Sequence, residues 1–270
     1  MKKMKPVAGY LIDIEGVLVA DKRYVPVAGA VDWMVQLRES GRPFCLVSNN
    51  TTSRPEDLVQ TLAGLGFPVT EDHLVGALDL GRRWLSERGR RRIQWLGNPD
   101  LTAYWEDHGF ELVTSGICEA VVLGANTELQ VADLDRALEP LWEQEADLVC
   151  LHRNSFFLDG KGNRRLGPGA WAAALEALGG QGRVITVGKP SEKIYNEAVK
   201  RLGVAPVDVL FISDDPVNDL VTANKLGMTT AFVLSGKYPD HKVLGHLSEE
   251  DWPHIISNCL GDLDRPAPLV

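Results

Sequence analysis

Acidic, hydroxyl and basic side chains follow four short apolar runs in this chain, and their types fit phosphoryl-transfer chemistry. These polar residues are Asp13 and Glu15, Ser48 and Asn49, Lys189, and the acids Asp214, Asp215 and Asp219. Paired carboxylates can supply a nucleophile, a proton donor and ligands for a divalent cation, whereas hydroxyl, amide and ammonium groups can bind phosphate oxygens. The set contains every charge that a metal-assisted phosphoryl transfer needs.

The first acid pair lies where an apolar, β-branched run ends. Asp13 and Glu15 are two residues apart, and positions i and i+2 of an extended chain point to the same face. Both carboxylates can therefore reach one substrate. Taken alone, the pair is equally typical of a strand end with two solvated acids, so it indicates catalysis only in combination with the other clusters.

The second acid cluster predicts a cation site. Asp214 and Asp215 end an apolar run, and Asp219 lies one helical turn further on. Carboxylates repel one another unless a cation compensates, and Mg²⁺ prefers oxygen ligands. Capping of the following helix is an alternative use of Asp214 or Asp215. Lys189 and Ser48 have similar alternatives, a surface turn and a helix cap.

The elements around these clusters alternate between strand and helix, which is typical of a parallel α/β sheet. Strands are predicted over 7–13, 43–48, 184–187, 208–213 and 229–234, with helices over 27–40, 53–65, 191–202 and 216–226 and a short terminal helix over 251–260. In an open α/β sheet, ligands bind at the carboxyl ends of the strands. The four clusters are therefore expected to face one crevice.

The middle of the chain is predicted to be a second α/β unit without catalytic clusters. Its strands are predicted over 92–96, 119–123 and 147–151, and its helices over 77–87, 99–108, 131–145 and 168–178, with a return hinge at 178–182. We therefore predict a core formed by residues 1–76 and 183–270 and an inserted domain over residues 77–182.

Composition narrows the possible partners and location. The 270 residues carry a net charge of −9, which argues against nucleic acid as the main partner. No run approaches the ~20 apolar residues of a membrane span, and the apolar run behind the first lysines is too short for a signal peptide. The four scattered cysteines indicate a reducing, cytoplasmic setting.

The motif order resembles the haloacid dehalogenase (HAD) superfamily of phosphatases. That order is Asp-x-acid-Gly-Val, Ser-Asn-Asn-Thr, Gly-Lys-Pro and then Asp-Asp-x-x-x-Asp. The insertion, "LGPGAWAAALEAL", "GKPSEKIYNEAV" and "VLSGKYPD" resemble the NagD-type branch with an α/β (C2-type) cap, and most of all its phospholysine/phosphohistidine pyrophosphate phosphatase group. The resemblance implies a Rossmann-like parallel-sheet core and an inserted α/β cap.

The resemblance also implies a role for each cluster in the hydrolysis of a small phosphorylated metabolite. Asp13 would be the nucleophile that forms an aspartyl-phosphate, and Glu15 the acid/base. Ser48, Asn49 and Lys189 would bind the phosphoryl group. Mg²⁺ would be held by Asp13, the Glu15 carbonyl and Asp214, with Asp215 and Asp219 acting around those ligands.

Two positions depart from the family pattern. Glu15 stands where the usual residue is Asp, and one extra methylene can misplace a catalytic carboxyl; the enolase-phosphatase branch, however, also carries Asp-x-Glu-Gly. Ser213 replaces a glycine, and its β-carbon is expected to crowd the loop. The alternative function is therefore a catalytically weak HAD-fold protein that binds phosphorylated ligands or partners.

The cap offers a candidate substrate-binding segment and a candidate dimer surface. His152 and Arg153 follow a predicted strand near the point where NagD-type caps carry their substrate-selecting loop. An ordinary polar loop explains them equally well. NagD-type relatives often pair through their caps, so the resemblance also allows a homodimer.

Overall fold

A computed structural model describes residues 7–20, 24–159, 161–177 and 182–266 of the chain. The strands are β1 (Gly9–Ile12), β2 (Val19–Ala20), β3 (Val25–Pro26), β4 (Phe44–Ser48), β5 (Leu74–Gly76), β6 (Arg92–Leu96), β7 (Glu111–Leu112), β8 (Ala120–Leu123), β9 (Asp147–Cys150), β10 (Phe156–Leu158), β11 (Arg164–Leu166), β12 (Val184–Thr186), β13 (Val209–Ser213), β14 (Thr229–Val233) and β15 (Ile255–Ser257). The α-helices are α1 (Ala30–Glu39), α2 (Pro55–Gly64), α3 (Ala77–Glu87), α4 (Thr102–Asp107), α5 (Val131–Glu143), α6 (Pro168–Glu176), α7 (Glu192–Leu202) and α8 (Val221–Lys225).

The chain divides into two compact units, each built around its own sheet. Unit 1 comprises residues 1–48, 58–75 and 195–270, and unit 2 comprises residues 49–57 and 76–194. Within the described residues, the sheet of unit 1 has the strand order β15-β14-β13-β1-β4-β5, and that of unit 2 the order β12-β9-β8-β6-β7. The registered pairs inside both sheets are parallel. The predicted parallel-sheet α/β fold is confirmed.

The sheet of unit 1 is apolar on both faces, as buried parallel strands usually are. Tyr10 and Ile12 of β1 belong to the core that includes α1 and α2, and the ring of Tyr10 meets Trp33 edge-on at 5.6 Å. Because alternate residues of a strand face opposite sides, Phe211 of β13 faces the other side, where its ring lies 5.6 Å from that of Tyr195 in α7.

The sheet of unit 2 also carries apolar clusters on both faces. One cluster joins α3 and α4 to β6, β8 and β9, with Trp105 fully buried. The other joins α5 and α6 to the opposite face of β8 and β9. A separate antiparallel hairpin pairs β10 with β11.

Two of the predicted segments differ from the sequence-based expectation. Val184–Thr186 is a strand as predicted, but it pairs with β9 in the sheet of unit 2 rather than joining the core sheet. The terminal helix predicted over 251–260 is wrong, because Ile255–Ser257 extends the sheet of unit 1 beside β14. Pro253 and the β-branched pair Ile255–Ile256 favour an extended edge strand over a helix.

The predicted domain limits at 76/77 and 182/183 stay a prediction. The compact unit 2 begins at residue 76, one residue before the predicted start, continues to residue 194 rather than 182, and also includes residues 49–57. The predicted hinge, apart from Gly182, lies outside the described residues. Among the described residues, no helix is long and apolar enough to cross a membrane.

Candidate active site

Asp13 emerges directly from the carboxyl end of β1 beside β13. Its backbone N–H donates to the Ile212 carbonyl at 2.9 Å and so extends the parallel ladder by one residue. Its Oδ1 accepts from the Ile14 N–H at 2.8 Å, and Ser213 Oγ lies 3.4 Å from its Oδ2. The side chain is only 7% exposed. The fold therefore fixes the orientation of a buried carboxylate at the strand end.

Glu15 lies in the turn that follows, close to the end of the neighbouring strand β4. Ser48, the last residue of β4, places its hydroxyl 3.5 Å from Glu15 Oε2. The turn closes through a 2.7 Å bond from the Gly16 N–H to the Val19 carbonyl. Unit 1 thus brings the predicted acid/base and one predicted phosphate-binding hydroxyl into contact.

Asp214 occupies a cradle made by two glycines. A Cβ placed on Gly16 or on Gly236 would overlap the Asp214 carboxylate. The Lys237 N–H donates to Asp214 Oδ2 at 2.6 Å. Burial, and next the charge of Asp13, raise the pKa of Asp214 well above its usual range. A cation bound between Asp13 and Asp214 would relieve this repulsion.

Ser213 connects the acids rather than crowding them. Its hydroxyl lies 2.6 Å from Asp219 Oδ2 and 3.4 Å from Asp13 Oδ2, and it accepts from the Asp215 N–H at 3.1 Å. Ser213 is fully buried. The expected crowding by its β-carbon is therefore replaced by hydrogen bonding, which connects Asp219 to the backbone of Asp215.

Asp215 is held by a lysine that sequence reasoning did not assign. Lys237 Nζ lies 2.7 Å from Asp215 Oδ2. Asp215 also accepts from the backbone N–H groups of Val217 and Asn218 and from the Asn218 side chain. Burial alone raises the pKa of Asp215, but the Lys237 ammonium and the Asn218 donors outweigh it and hold the pKa below its ordinary value. Asp215 therefore also caps the following turn, as the alternative interpretation anticipated.

Asp219 lies behind this group, on a π-helical turn over Pro216–Leu220. Its backbone carbonyl accepts from the Tyr195 hydroxyl at 2.9 Å. Burial, followed by the charges of Asp219, Asp13 and Asp215, raises the pKa of Tyr195 well above its ordinary value. The phenol therefore remains a neutral donor that fixes the backbone of the acidic loop.

The oxygen donors of unit 1 suit a magnesium ion that keeps several of its waters. Within the described ranges, they do not form a site that is closed by three or more carboxylates. In the part of the chain that the structure describes, no group of three or more His, Cys, Asp or Glu side chains is arranged to hold a metal ion. Mg²⁺ is usually bound by one or two carboxylates and keeps several waters. Asp13 and Asp214, with the Glu15 carbonyl, match that smaller requirement.

Asn49 and Lys189 meet within unit 2. Asn49 Oδ1 accepts from the Lys189 N–H at 2.8 Å, and its Nδ2 lies 3.2 Å from both the Lys189 carbonyl and Asn154 Oδ1. Lys189 is only 2% exposed. The Asn49 amide thus holds both sides of the Lys189 backbone, which gives it a positioning contact that the sequence alone did not indicate.

His152 and Arg153 make contacts inside unit 2. His152 is buried, with Nε2 3.5 Å from Thr51 Oγ1. Arg153 bonds Thr186 Oγ1 at 2.9 Å and forms an ion pair with Glu176. These contacts support a structural role for both side chains. Their role in substrate selection stays a prediction.

Lys237 could have been identified as a candidate site residue from the sequence. Residues 229–234 were predicted to be a strand, and Ser235 and Lys237 follow its carboxyl end in the same way that the assigned clusters follow theirs. Ser235 Oγ donates to the Gly16 carbonyl at 2.6 Å. The strand end after β14 is therefore a further polar cluster beside Asp214.

Comparisons with known proteins agree with this geometry. A profile described as haloacid dehalogenase-like hydrolase matches residues 10–111, and a HAD-hydrolase-like profile matches residues 186–263. Human haloacid dehalogenase-like hydrolase domain-containing protein 2 is 27% identical over 269 residues, covering 97% of this chain and 100% of the relative.

Two solved structures extend the comparison. A p-nitrophenyl phosphatase from Archaeoglobus fulgidus superposes with a TM-score of 0.81 at 27% identity, covering 96% of this chain and 98% of that one. NagD from E. coli K-12 has a TM-score of 0.78 at 19% identity, with 96% and 99% covered; at this identity the likeness concerns the fold.

Proposed function

Since this chain belongs to the haloacid dehalogenase-like hydrolases and is a phosphatase, we propose that it is a Mg²⁺-dependent enzyme of their NagD-type branch that hydrolyses a small phosphorylated metabolite through an aspartyl-phosphate on Asp13. The observation that carries this proposal is the pair of buried carboxylates, Asp13 and Asp214, at the ends of the adjacent parallel strands β1 and β13.

Asp13 is proposed as the nucleophile. A carboxylate oxygen attacks phosphorus, the bond between phosphorus and the ester oxygen breaks, and the phosphoryl group is transferred to Asp13. The bond from the Ile14 N–H and the burial of the side chain support this role because a fixed carboxylate reaches the attacking geometry without further loss of rotational freedom.

Glu15 is proposed as the acid and base. Its protonated carboxyl gives a proton to the departing ester oxygen and thereby releases the alcohol. The resulting carboxylate then takes a proton from a water molecule that attacks the aspartyl-phosphate, which frees inorganic phosphate and restores Asp13. The Ser48 hydroxyl beside Glu15 supports a defined position for this longer side chain.

Ser48, Asn49 and Lys189 are proposed to serve the phosphoryl group. The Ser48 hydroxyl and the Lys189 ammonium donate to its oxygens, and Asn49 acts near them by holding the Lys189 backbone. Charge-assisted bonds of this kind stabilise the negative charge that spreads over the transferring group.

Asp13, the Glu15 carbonyl and Asp214 are proposed as the protein ligands of Mg²⁺. The ion supplies charge stabilisation to the phosphoryl oxygens when bound. The two glycines around Asp214 support this assignment because they leave room for the carboxylate where any side chain would overlap it. Asp215 and Asp219 keep the loop in shape through Lys237 and Ser213.

The decisive experiment measures p-nitrophenyl phosphate turnover with and without Mg²⁺. We expect Mg²⁺-dependent turnover in the wild type and a loss of at least about a thousandfold in Asp13→Asn. Asp135→Asn, which makes the same change on the exposed face of α5, is the matched control and should be fully active. Wild-type rates in Asp13→Asn would remove Asp13 as the nucleophile.

The same samples test the catalytically weak alternative. An inactive wild type that binds beryllofluoride only in the presence of Mg²⁺ would favour a protein that binds phosphorylated ligands. The cap homodimer, the cytoplasmic location and substrate selection by His152 and Arg153 also stay predictions. Light scattering measures the first, and a panel of metabolite phosphates tested on Arg153→Gln measures the last.

A further inference from the structure

A pocket lined by three arginines lies in unit 1, at the opposite end of the sheet from the acids. It is an open pocket of about 510 Å³, and its lining includes Arg38, Arg42, Phe44, Cys45, His73 and Arg201. Phe44 begins β4, and Ser48, which contacts Glu15, ends it. At about 3.3 Å per residue the two positions are roughly 13 Å apart. The pocket is therefore separate from the candidate active site.

Three guanidinium groups surround this pocket on a chain whose net charge is −9. Arg201 is anchored by the carbonyls of Asp72 and Leu74 at 3.2 and 2.6 Å, and its guanidinium lies 3.8 Å from Glu197. Asp72 is the acid in the lining. The three guanidiniums outnumber these two carboxylates, so the pocket is locally cationic.

The remaining lining of the pocket includes the rings of Phe44 and His73 and the thiol of Cys45. The ring of His73 stacks on that of Phe44 with centroids 4.4 Å apart. Burial raises the pKa of the Cys45 thiol to about 11, so this side chain carries no charge at neutral pH. Arg42 donates to the Val7 carbonyl. The walls therefore combine cationic forks with a flat aromatic surface.

His73 links Arg38 to the turn that begins at Thr70. Its Nδ1 lies 2.8 Å from Thr70 Oγ1 and 3.1 Å from the Thr70 backbone nitrogen, and its Nε2 lies 3.0 Å from Nη1 of Arg38. Because a guanidinium nitrogen can only donate, the tautomer with its proton on Nδ1 donates to Thr70 Oγ1 and accepts from Arg38. His73 thereby positions one of the guanidinium groups at the pocket wall.

We propose that this pocket binds an oxyanion-bearing metabolite through a phosphate or carboxylate group. An anionic oxygen in the pocket accepts from its guanidinium groups, including that of Arg38, which His73 holds in position. Guanidinium forks match the geometry of phosphate and carboxylate oxygens. The volume of about 510 Å³ is within the range of pockets that hold small molecules.

Isothermal titration calorimetry on the full chain in EDTA tests this proposal, because Mg²⁺-dependent binding at the acids is then removed. The probes are inorganic pyrophosphate and citrate, which distinguish phosphate from carboxylate recognition. We expect at least one to bind, and Arg38→Gln and His73→Gln each to weaken that binding about tenfold. Arg136→Gln, an equal charge change on exposed α5, should bind like the wild type.

Hydrogen exchange locates the bound anion independently of the variants. Protection over residues 38–45, 70–74 and 198–202 on adding the bound probe supports the proposal. Absence of binding by both probes, wild-type affinity in folded Arg38→Gln, or protection confined to residues 13–16 and 213–219 would each overturn it. Because turnover is not measured, failure here leaves the proposed phosphatase mechanism unaffected.

Discussion

The contact between Lys237 and Asp215 allows a quantitative test of how the acidic loop is held. The two charged atoms are 2.7 Å apart, and the side chains are only 11% and 6% exposed. Removing one partner of a buried ion pair costs about 3–5 kcal/mol, because the other charge stays buried. Asp215 keeps donors from Val217 and Asn218. We therefore expect Lys237→Met to lower the free energy of unfolding by about 3 kcal/mol, the low end of that range.

Thermal and urea unfolding measure this change, with an exposed ion pair as the control. A loss of about 3 kcal/mol corresponds to a fall in melting temperature of roughly 6–12 °C for a chain of this size. Lys225 lies 3.8 Å from Asp251 with its side chain 65% exposed, so Lys225→Met should cost at most about 1 kcal/mol. Equal losses in the two variants would refute the reasoning.

The pH dependence of stability provides a second test of the ion pair between Lys237 and Asp215, because its direction can be predicted. The pKa of Asp215 is lowered in the folded protein, where Lys237 and the Asn218 donors outweigh the effect of burial. A lowered carboxyl pKa stabilises the fold above the unfolded value near 3.9, and the stabilisation disappears as pH falls through the folded pKa. The difference between the wild type and Lys237→Met should therefore shrink with acidification. In Asp215→Asn, which removes the carboxylate that Lys237 contacts, the further change Lys237→Met should cost much less than it does in the wild type.

Three further changes probe the same site. Asp214→Ala removes one of two proposed carboxylate ligands and should weaken Mg²⁺ binding more than tenfold by calorimetry; unchanged affinity would remove Asp214 from the metal site. Gly16→Ala should lower both stability and Mg²⁺ affinity because its φ is +85° and its Cβ would overlap Asp214, whereas Gly116→Ala, at φ +80° in open space, separates the backbone strain from that overlap. Ser213→Ala removes a donor to a buried carboxylate and should cost about 1.5–3 kcal/mol in urea unfolding; a loss below 0.5 kcal/mol would show that its hydroxyl does not hold the acids.

Much of the fold could be predicted from the short apolar runs in the sequence and from the polar residues at their ends. The run before Asp13 predicted β1, and the segment at 208–213 predicted β13 within one residue. The match is close because buried parallel strands are short apolar runs with polar residues at the ends. The sheet that receives Val184–Thr186 could not be predicted, since the choice between two sheets depends on partners distant in the sequence.

The residues of the candidate site could be predicted from the sequence, but the contacts that their side chains make could not. The acids were identified because each follows a strand. Ser213 was expected to crowd the loop, yet its hydroxyl connects Asp219 and Asp215, a role that depends on side-chain rotamers. Asn49 was expected to bind phosphate, and the structure uses its amide on the backbone of Lys189. Such contacts arise from tertiary packing and leave no periodic signal.

The buried position of Asp13 and Asp214 has a consequence for handling the protein. Their mutual repulsion exists only in the native chain, so an ion that binds the native chain alone shifts the unfolding equilibrium by mass action, by about 2.7 kcal/mol at a hundred times its dissociation constant. Heat resistance then reports metal occupancy directly. A dye-based melting scan across divalent salts can rank the ions this protein accepts before any substrate is known.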